Sequence, residues 1–130
     1  MHPTIAALLE NSPVITDGAW GTLLQAAGLE VGASPDGWNL TRPDAVHVVA
    51  AAYVAAGSMV ILTNTFRANK VALAASGLEA KVREINRAGV RISRDAAGGE
   101  ARVFATMGPT GKMLLTGEIS TEVAVAAFEE

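Results

Sequence analysis

Three short strand-like runs recur along the chain, starting near residues 14, 59 and 102, and each leads into helical patterning. The first, Pro13-Val14-Ile15-Thr16, runs into Asp17-Gly18. The second, Met59-Val60-Ile61-Leu62, is continuously apolar, the pattern of a strand covered on both faces of a parallel sheet. The third is Arg102-Val103-Phe104-Ala105-Thr106. Residues 26–41, rich in Gly, Pro, Ser and Asn, read as a long loop. Pro43 suits the first turn of a helix, with Thr41 or Arg42 near its cap. Val46, Val49, Ala50, Tyr53 and Val54 then share a helical face, and Gly57 fits the C′ position. A short helix is expected over 69–76, ending at Gly77. A longer one is expected from Leu78 to Gly98-Gly99. It carries Leu78, Val82, Ile85 and Ile92 near one face, with Lys81, Arg83, Glu84, Arg87, Arg91 and Arg94 mostly toward water. Ser120 is expected to cap a last helix over 121–130, of about three turns.

The order β-α-β-α-β-α implies an α/β fold with parallel strands and helical crossovers. The strand starts are 45 and 43 residues apart. Eight such units need about 340 residues, the size of a (β/α)8 TIM-type barrel. Spacing alone leaves two readings, a small open sheet complete in itself and three units of a barrel.

Composition narrows the function. Half the 130 residues are hydrophobic and 18% are charged, as in a folded domain rather than a disordered one. Net charge is -3, and the Lys and Arg residues read as scattered. Without a basic stripe, nucleic acid is not an expected partner. There is no cysteine, which excludes disulfides and any thiolate metal site built from this chain alone. His2 and His47 are too few for a zinc site, and His47, inside a helix, reads as structural. Residues 45–63 contain no Asp, Glu, Lys or Arg and approach membrane-span length. Their alanine content and the stop at Gly57 argue against a span. No basic segment precedes an apolar run at the N-terminus, so the expected location is cytoplasmic.

Each strand-like run ends in small or polar residues: Asp17-Gly18-Ala19-Trp20-Gly21-Thr22, Thr63-Asn64-Thr65-Phe66, and Thr106-Met107-Gly108-Pro109-Thr110-Gly111. In a parallel barrel these ends share one rim, where active sites are built. Each segment alone also reads as a turn. The first is not a dinucleotide fingerprint, since its glycines are misplaced and no helix is expected at the required distance. The third is not a Walker A loop, because its spacing fails and Pro109 interrupts it. Trp20 and Trp38 fall in loops, and Trp38 either walls a pocket or covers loop packing. Tyr53 reads as helix-face core. Arg67 follows the second rim segment and either binds a carboxylate there or is solvated.

Four of these segments resemble a known family. Val14 to Thr22 resembles the first strand and loop of homocysteine S-methyltransferases. Asn39-Leu40-Thr41-Arg42-Pro43-Asp44 resembles the opening of their first helix. Ala56-Gly57-Ser58 with Thr63-Asn64-Thr65-Phe66 resembles their second strand and rim, and Gly108-Pro109-Thr110-Gly111 their third. The resemblance implies a zinc-dependent (β/α)8 barrel that moves a methyl group onto homocysteine, giving methionine. It also implies zinc held by three cysteine thiolates near later strands, keeping the homocysteine sulfur a thiolate. Carried over, Asp17 faces the substrate ammonium. N–H groups near Ala19 and Trp20, beside Gly18, face the carboxylate, and Asn64 and Thr65 shape the rim. Trp38, Arg67 and Gly108 are further pocket candidates. The methyl donor in the family is methylcobalamin, betaine or S-methylmethionine. A cation at Arg67 disfavours betaine, whose quaternary ammonium needs aromatic faces.

On this reading residues 1–130 form a partial homocysteine-binding barrel domain, truncated and inactive alone because the zinc ligands are missing. Two other readings remain. One is a stand-alone binding module that associates through exposed strand edges. The other is a small phosphate-binding α/β domain.

Overall fold

The computed structural model describes residues 1–10 and 12–129. Its longest helices owe their limits to local chemistry. The helix α4 (Pro43–Ala55) starts with Pro43, whose missing N–H costs nothing in a first turn, and has Asp44 beside it. It stops where Gly57 takes φ +94. There the Gly57 N–H donates to Val54 O (2.9 Å) and the Ser58 N–H to Tyr53 O (3.1 Å), closing the helix end with the paired bonds of a left-handed glycine cap. The helix α6 (Val82–Ala97) ends likewise at left-handed Gly98. Four shorter helices precede these two or lie between them: α1 (Pro3–Leu9), α2 (Gly21–Ala26), α3 (Trp38–Thr41) and α5 (Lys70–Ala74). The helix α7 (Thr121–Ala126) follows, capped by the Ser120 hydroxyl accepting from the Val123 N–H.

Two strands, β1 (Val60–Leu62) and β2 (Arg102–Phe104), pair in parallel with Ile61 opposite Val103. Thr16 bridges Val60 in parallel on the other edge of β1. There Met59 donates to Ile15 O (2.7 Å) and Asp17 to Val60 O (3.0 Å). The spatial order is therefore the Thr16 segment, β1, β2, with α4 and α6 as crossovers. These helices pack on each other and on the strands. Leu24, Leu29, Val46, Val49 and Ile92 form one buried cluster, and Ala50, Ile61 and Ala97 another. Val82, Ile85, Leu73 and Ala68 form a third. Close approach in α6 depends on Gly89. A Cβ there would stand 2.6 Å from Thr65 Cγ2 and 2.7 Å from Asn39 Nδ2.

The α/β class and the parallel order match the expectation from sequence. Several details differ. The first strand shrinks to the Thr16 bridge, because the donors of the flanking rungs are taken elsewhere, the Ser58 N–H by Tyr53 O in the helix cap and the Leu62 N–H by Asp17 Oδ2. A helix, α2, does follow the Asp17–Gly21 loop directly. The dinucleotide motif is thus excluded by glycine spacing alone. The 26–41 segment is not all loop, since it contains α3. The third strand ends at Phe104, and the last helix spans Thr121–Ala126, with Glu130 outside the described residues. The arginines are less scattered than the sequence suggests. Arg87, Arg91 and Arg94 line one surface groove of α6 with Asn86, Val90 and Asp95, because i, i+4 and i+7 positions share a helix face. Among the described residues, no helix is long and apolar enough to cross a membrane.

Candidate functional site

The carboxyl ends of the parallel segments border a cleft of about 280 Å³. Trp20 and Gly21 line it from the first loop, and Pro35 and Asp36 from the turn before α3. Leu62, Thr63, Asn64, Phe66 and Arg67 come from the end of β1, and Thr106 from beyond β2.

Asp17 sits behind this cleft and organises it. Its Oδ2 accepts from the Trp20 indole Nε1–H (2.7 Å) and from the Leu62 N–H (2.8 Å). One carboxylate oxygen thus ties the first loop to β1. The other, Oδ1, is buried with no hydrogen-bond partner. A buried acceptor left unpaired is costly and calls for a partner such as a water, an ion or a bound group; Thr106 Oγ1 is in the same position. The loop itself is pinned by Tyr53, whose hydroxyl donates to Ala19 O (2.8 Å). Gly18 lies against the same ring, since a Cβ there would be 3.1 Å from the Tyr53 oxygen.

The second rim segment is held by amides. Asn64 Nδ2 donates to Pro35 O (2.8 Å) and to Asn39 Oδ1 (2.9 Å). Asn39 Nδ2 returns a bond to Asn64 O (2.7 Å) and one to Ile85 O (3.2 Å). Thr65 turns away from the cleft into a hydroxyl chain. Thr63 Oγ1 lies 2.6 Å from Thr65 Oγ1, which donates to Thr106 O (2.8 Å), while the Thr106 N–H donates back to Thr63 Oγ1 (3.0 Å). This chain joins the ends of β1 and β2 just past their last paired residues.

Asp36 closes the far wall. It is 2% exposed. Its Oδ1 accepts from the Arg67 N–H (2.9 Å) and its Oδ2 faces the Ser34 hydroxyl (3.5 Å). Burial pushes its carboxyl above the usual carboxylate range, opposed by the Arg67 N–H and the nearby Arg67 charge.

Of the residues singled out in the sequence, Trp20, Asn64 and Arg67 line the cleft together, with Asp17 bonded to two of its walls. Gly108 lies next door, in a groove of about 270 Å³ shared with Phe66 and Phe128. Its lack of a side chain is required there, because a Cβ would collide with Phe66 O and its ring. Trp38 stands apart. It packs against the Leu24–Val46 cluster and is capped by the Arg42 guanidinium, 4.8 Å from the ring centroid. Asp36, Asn39 and the Tyr53 hydroxyl escaped the sequence reading. The Ser34-Pro35-Asp36-Gly37 run carries a turn signal, but nothing in it says that the carboxylate points inward.

The residues present do not fit a zinc ion. The chain has no cysteine. His2 caps α1 and His47 lies exposed on α4. Among the described residues no three His, Cys, Asp or Glu side chains gather.

The model of a family described as homocysteine S-methyltransferase matches residues 14–130. The chain belongs to the homocysteine S-methyltransferase family. It is similar to the methionine synthase of Mycobacterium tuberculosis, 30% identical over 135 residues, covering 95% of this chain. The methionine synthase of Mycobacterium leprae is also 30% identical, over 136 residues and 94% of the chain. The chain spans 11% of the length of each of these relatives. Among solved structures it resembles the homocysteine methyltransferase MmuM of Escherichia coli. The metallated form of that enzyme superposes with a TM-score of 0.71 at 26% identity, over 82% of this chain and 42% of that one. The oxidised form gives 0.69 at 25% identity, over 82% and 41%.

Proposed function

We propose that residues 1–130 form the homocysteine-binding part of a methyltransferase that makes methionine, built as the first three units of a (β/α)8 barrel and located in the cytoplasm. The observation that carries this reading is the buried, unpartnered Oδ1 of Asp17, whose other oxygen bonds two residues that line the cleft at the strand ends, Trp20 and Leu62. An ammonium group satisfies such an oxygen with a charge-assisted bond. The N–H groups of Ala19 and Trp20 donate to no acceptor among the described residues, leaving them free for a carboxylate. Zinc, which in the family makes the homocysteine thiol a nucleophile, needs ligands that this chain does not supply, so methyl transfer is not expected from it alone. Methylcobalamin is the proposed donor. The Arg67 cation in the cleft wall opposes a quaternary ammonium donor, and the methionine synthase relatives support the choice.

The test is homocysteine titration against the parent chain and Asp17→Asn. The asparagine oxygen can keep the bonds from Trp20 and Leu62, while its NH2 replaces the unpaired oxygen. Homocysteine affinity is expected to fall by about 1.5 to 3 kcal/mol, the range of a hydrogen bond to a charged group, with thermal stability retained. Equal affinity for the two proteins refutes the assignment.

A further inference from the structure

One charged group of the cleft makes no direct side-chain bond to the fold. The Arg67 guanidinium makes no hydrogen bond or ion pair with any described residue, although its side chain lines the cleft. Its main chain, by contrast, is fixed from both sides. The Arg67 N–H is held by Asp36 Oδ1 at 2.9 Å, and Arg67 O accepts from the Asn69 N–H at 2.9 Å. Asp36 gives this oxygen to the backbone and turns the other toward Ser34, so it fixes the root of Arg67 and attracts its charge without a direct bond to its head. Behind the cleft, Asp17 ties its paired oxygen to Trp20 and Leu62 and leaves Oδ1 unpaired. A cation on the cleft wall with no direct bond, and an unsatisfied carboxylate oxygen on a residue bonded to two other lining residues, complement a zwitterion.

Building on the proposed function, we infer that Arg67 anchors the α-carboxylate of the amino-acid substrate, with Asp36 as its positioning residue. The loop N–H groups at Ala19 and Trp20 offer only neutral donors. Arg67 adds a charge and a planar fork matched to a carboxylate. It therefore makes the cleft select an amino-acid thiol over a plain aminothiol. Sequence reading left Arg67 equally open to solvation, and Asp36 is the feature that fixes where it starts.

The test compares homocysteine with 3-aminopropane-1-thiol, the same molecule without its carboxylate, by calorimetric titration of the full chain. Arg67→Gln should weaken homocysteine roughly ten- to a hundredfold, the loss of one charged hydrogen bond, and leave the aminothiol unchanged. Arg67→Lys should restore part of the difference. Asp36→Ala should reduce the preference for homocysteine, and Asp36→Asn, which keeps an acceptor for the Arg67 N–H, should retain it. Equal weakening of both ligands in Arg67→Gln would reduce Arg67 to a structural role and overturn the inference. Unchanged homocysteine binding in Arg67→Gln overturns it too, while leaving the Asp17 reading intact. A parent chain that binds the aminothiol as tightly as homocysteine also refutes it. A parent chain that binds neither overturns this inference and the proposed function together.

Discussion

Gly89→Ala is a sharp test of how the cleft is built, because two opposing effects can be weighed. In the middle of α6, alanine is favoured over glycine by about 0.5–1 kcal/mol through backbone entropy. On propensity alone the substitution stabilises. The new methyl would stand 2.6 Å from Thr65 Cγ2 and 2.7 Å from Asn39 Nδ2, far inside van der Waals contact. Relief requires α6 to retreat or Asn39 to move, and overpacking of this kind costs about 1–3 kcal/mol. Moving Asn39 also strains its bonds to Asn64 O and Ile85 O, each worth about 1 kcal/mol net. The balance is a loss of roughly 1–3 kcal/mol, with Tm falling by roughly 3–6 °C per kcal/mol for a domain of this size. Urea unfolding followed by circular dichroism measures it. Gly57→Ala is the control, because Gly57 has φ +94 and open space around it. That change costs about 1 kcal/mol through backbone conformation alone and should not alter homocysteine binding, whereas Gly89→Ala should weaken it. A Gly89→Ala protein as stable as the parent would refute the claim that α6 touches the rim so closely.

Tyr53→Phe removes the 2.8 Å bond to Ala19 O and should cost about 0.5–1.5 kcal/mol, with faster proteolysis in the 17–21 loop as the local readout. Asp36→Asn should be more stabilising at neutral pH than in acid. Burial raises the folded-state pKa of Asp36, so its ionised form is penalised in the fold, and the parent gains stability as pH falls through that value toward 3.8; paired melts at pH 7 and pH 4 give the sign. Zinc should not be retained stoichiometrically after dialysis, and one tightly held ion per chain by elemental analysis would contradict the ligand inventory. Self-association should grow with concentration in sedimentation experiments. The outer edge of β2 has no partner among the described residues, and Met107, Leu115 and Val123 are exposed at 74%, 97% and 53%; a monomer at all concentrations would show these surfaces to be tolerated.

The crossover helices and β1 were readable because their signals are local. Pro43 and Gly57 bracket α4, and the spacing of Val82, Ile85 and Ile92 faces α6 inward. The first strand is shorter than its β-branched residues suggest, since the Ser58 and Leu62 N–H groups that would extend its ladder bond to Tyr53 O and Asp17 Oδ2 instead. The helix α2 went unread because Gly21-Thr22 is a weak start and its only buried residue is Leu24. The rim segments could be placed in sequence, but not the division of labour within them. Thr65 faces its threonine neighbours and Asn64 faces the turn before α3, and nothing in Thr-Asn-Thr distinguishes the two. Asp36 and Asn39 were illegible for the same reason. Their partners lie 31 residues away at Arg67 and 46 residues away at Ile85.

The Asn39 amide has a consequence for how the chain folds. It joins three points of the sequence, at 39, 64 and 85, so the loops between them must close before it can bond. Closing them costs entropy that only later contacts repay. The Asn39 bonds therefore depend on α3, the end of β1 and α6 being docked together. A ligand that recognises the cleft needs all three points in place, so it binds the folded chain and by mass action draws the population toward it.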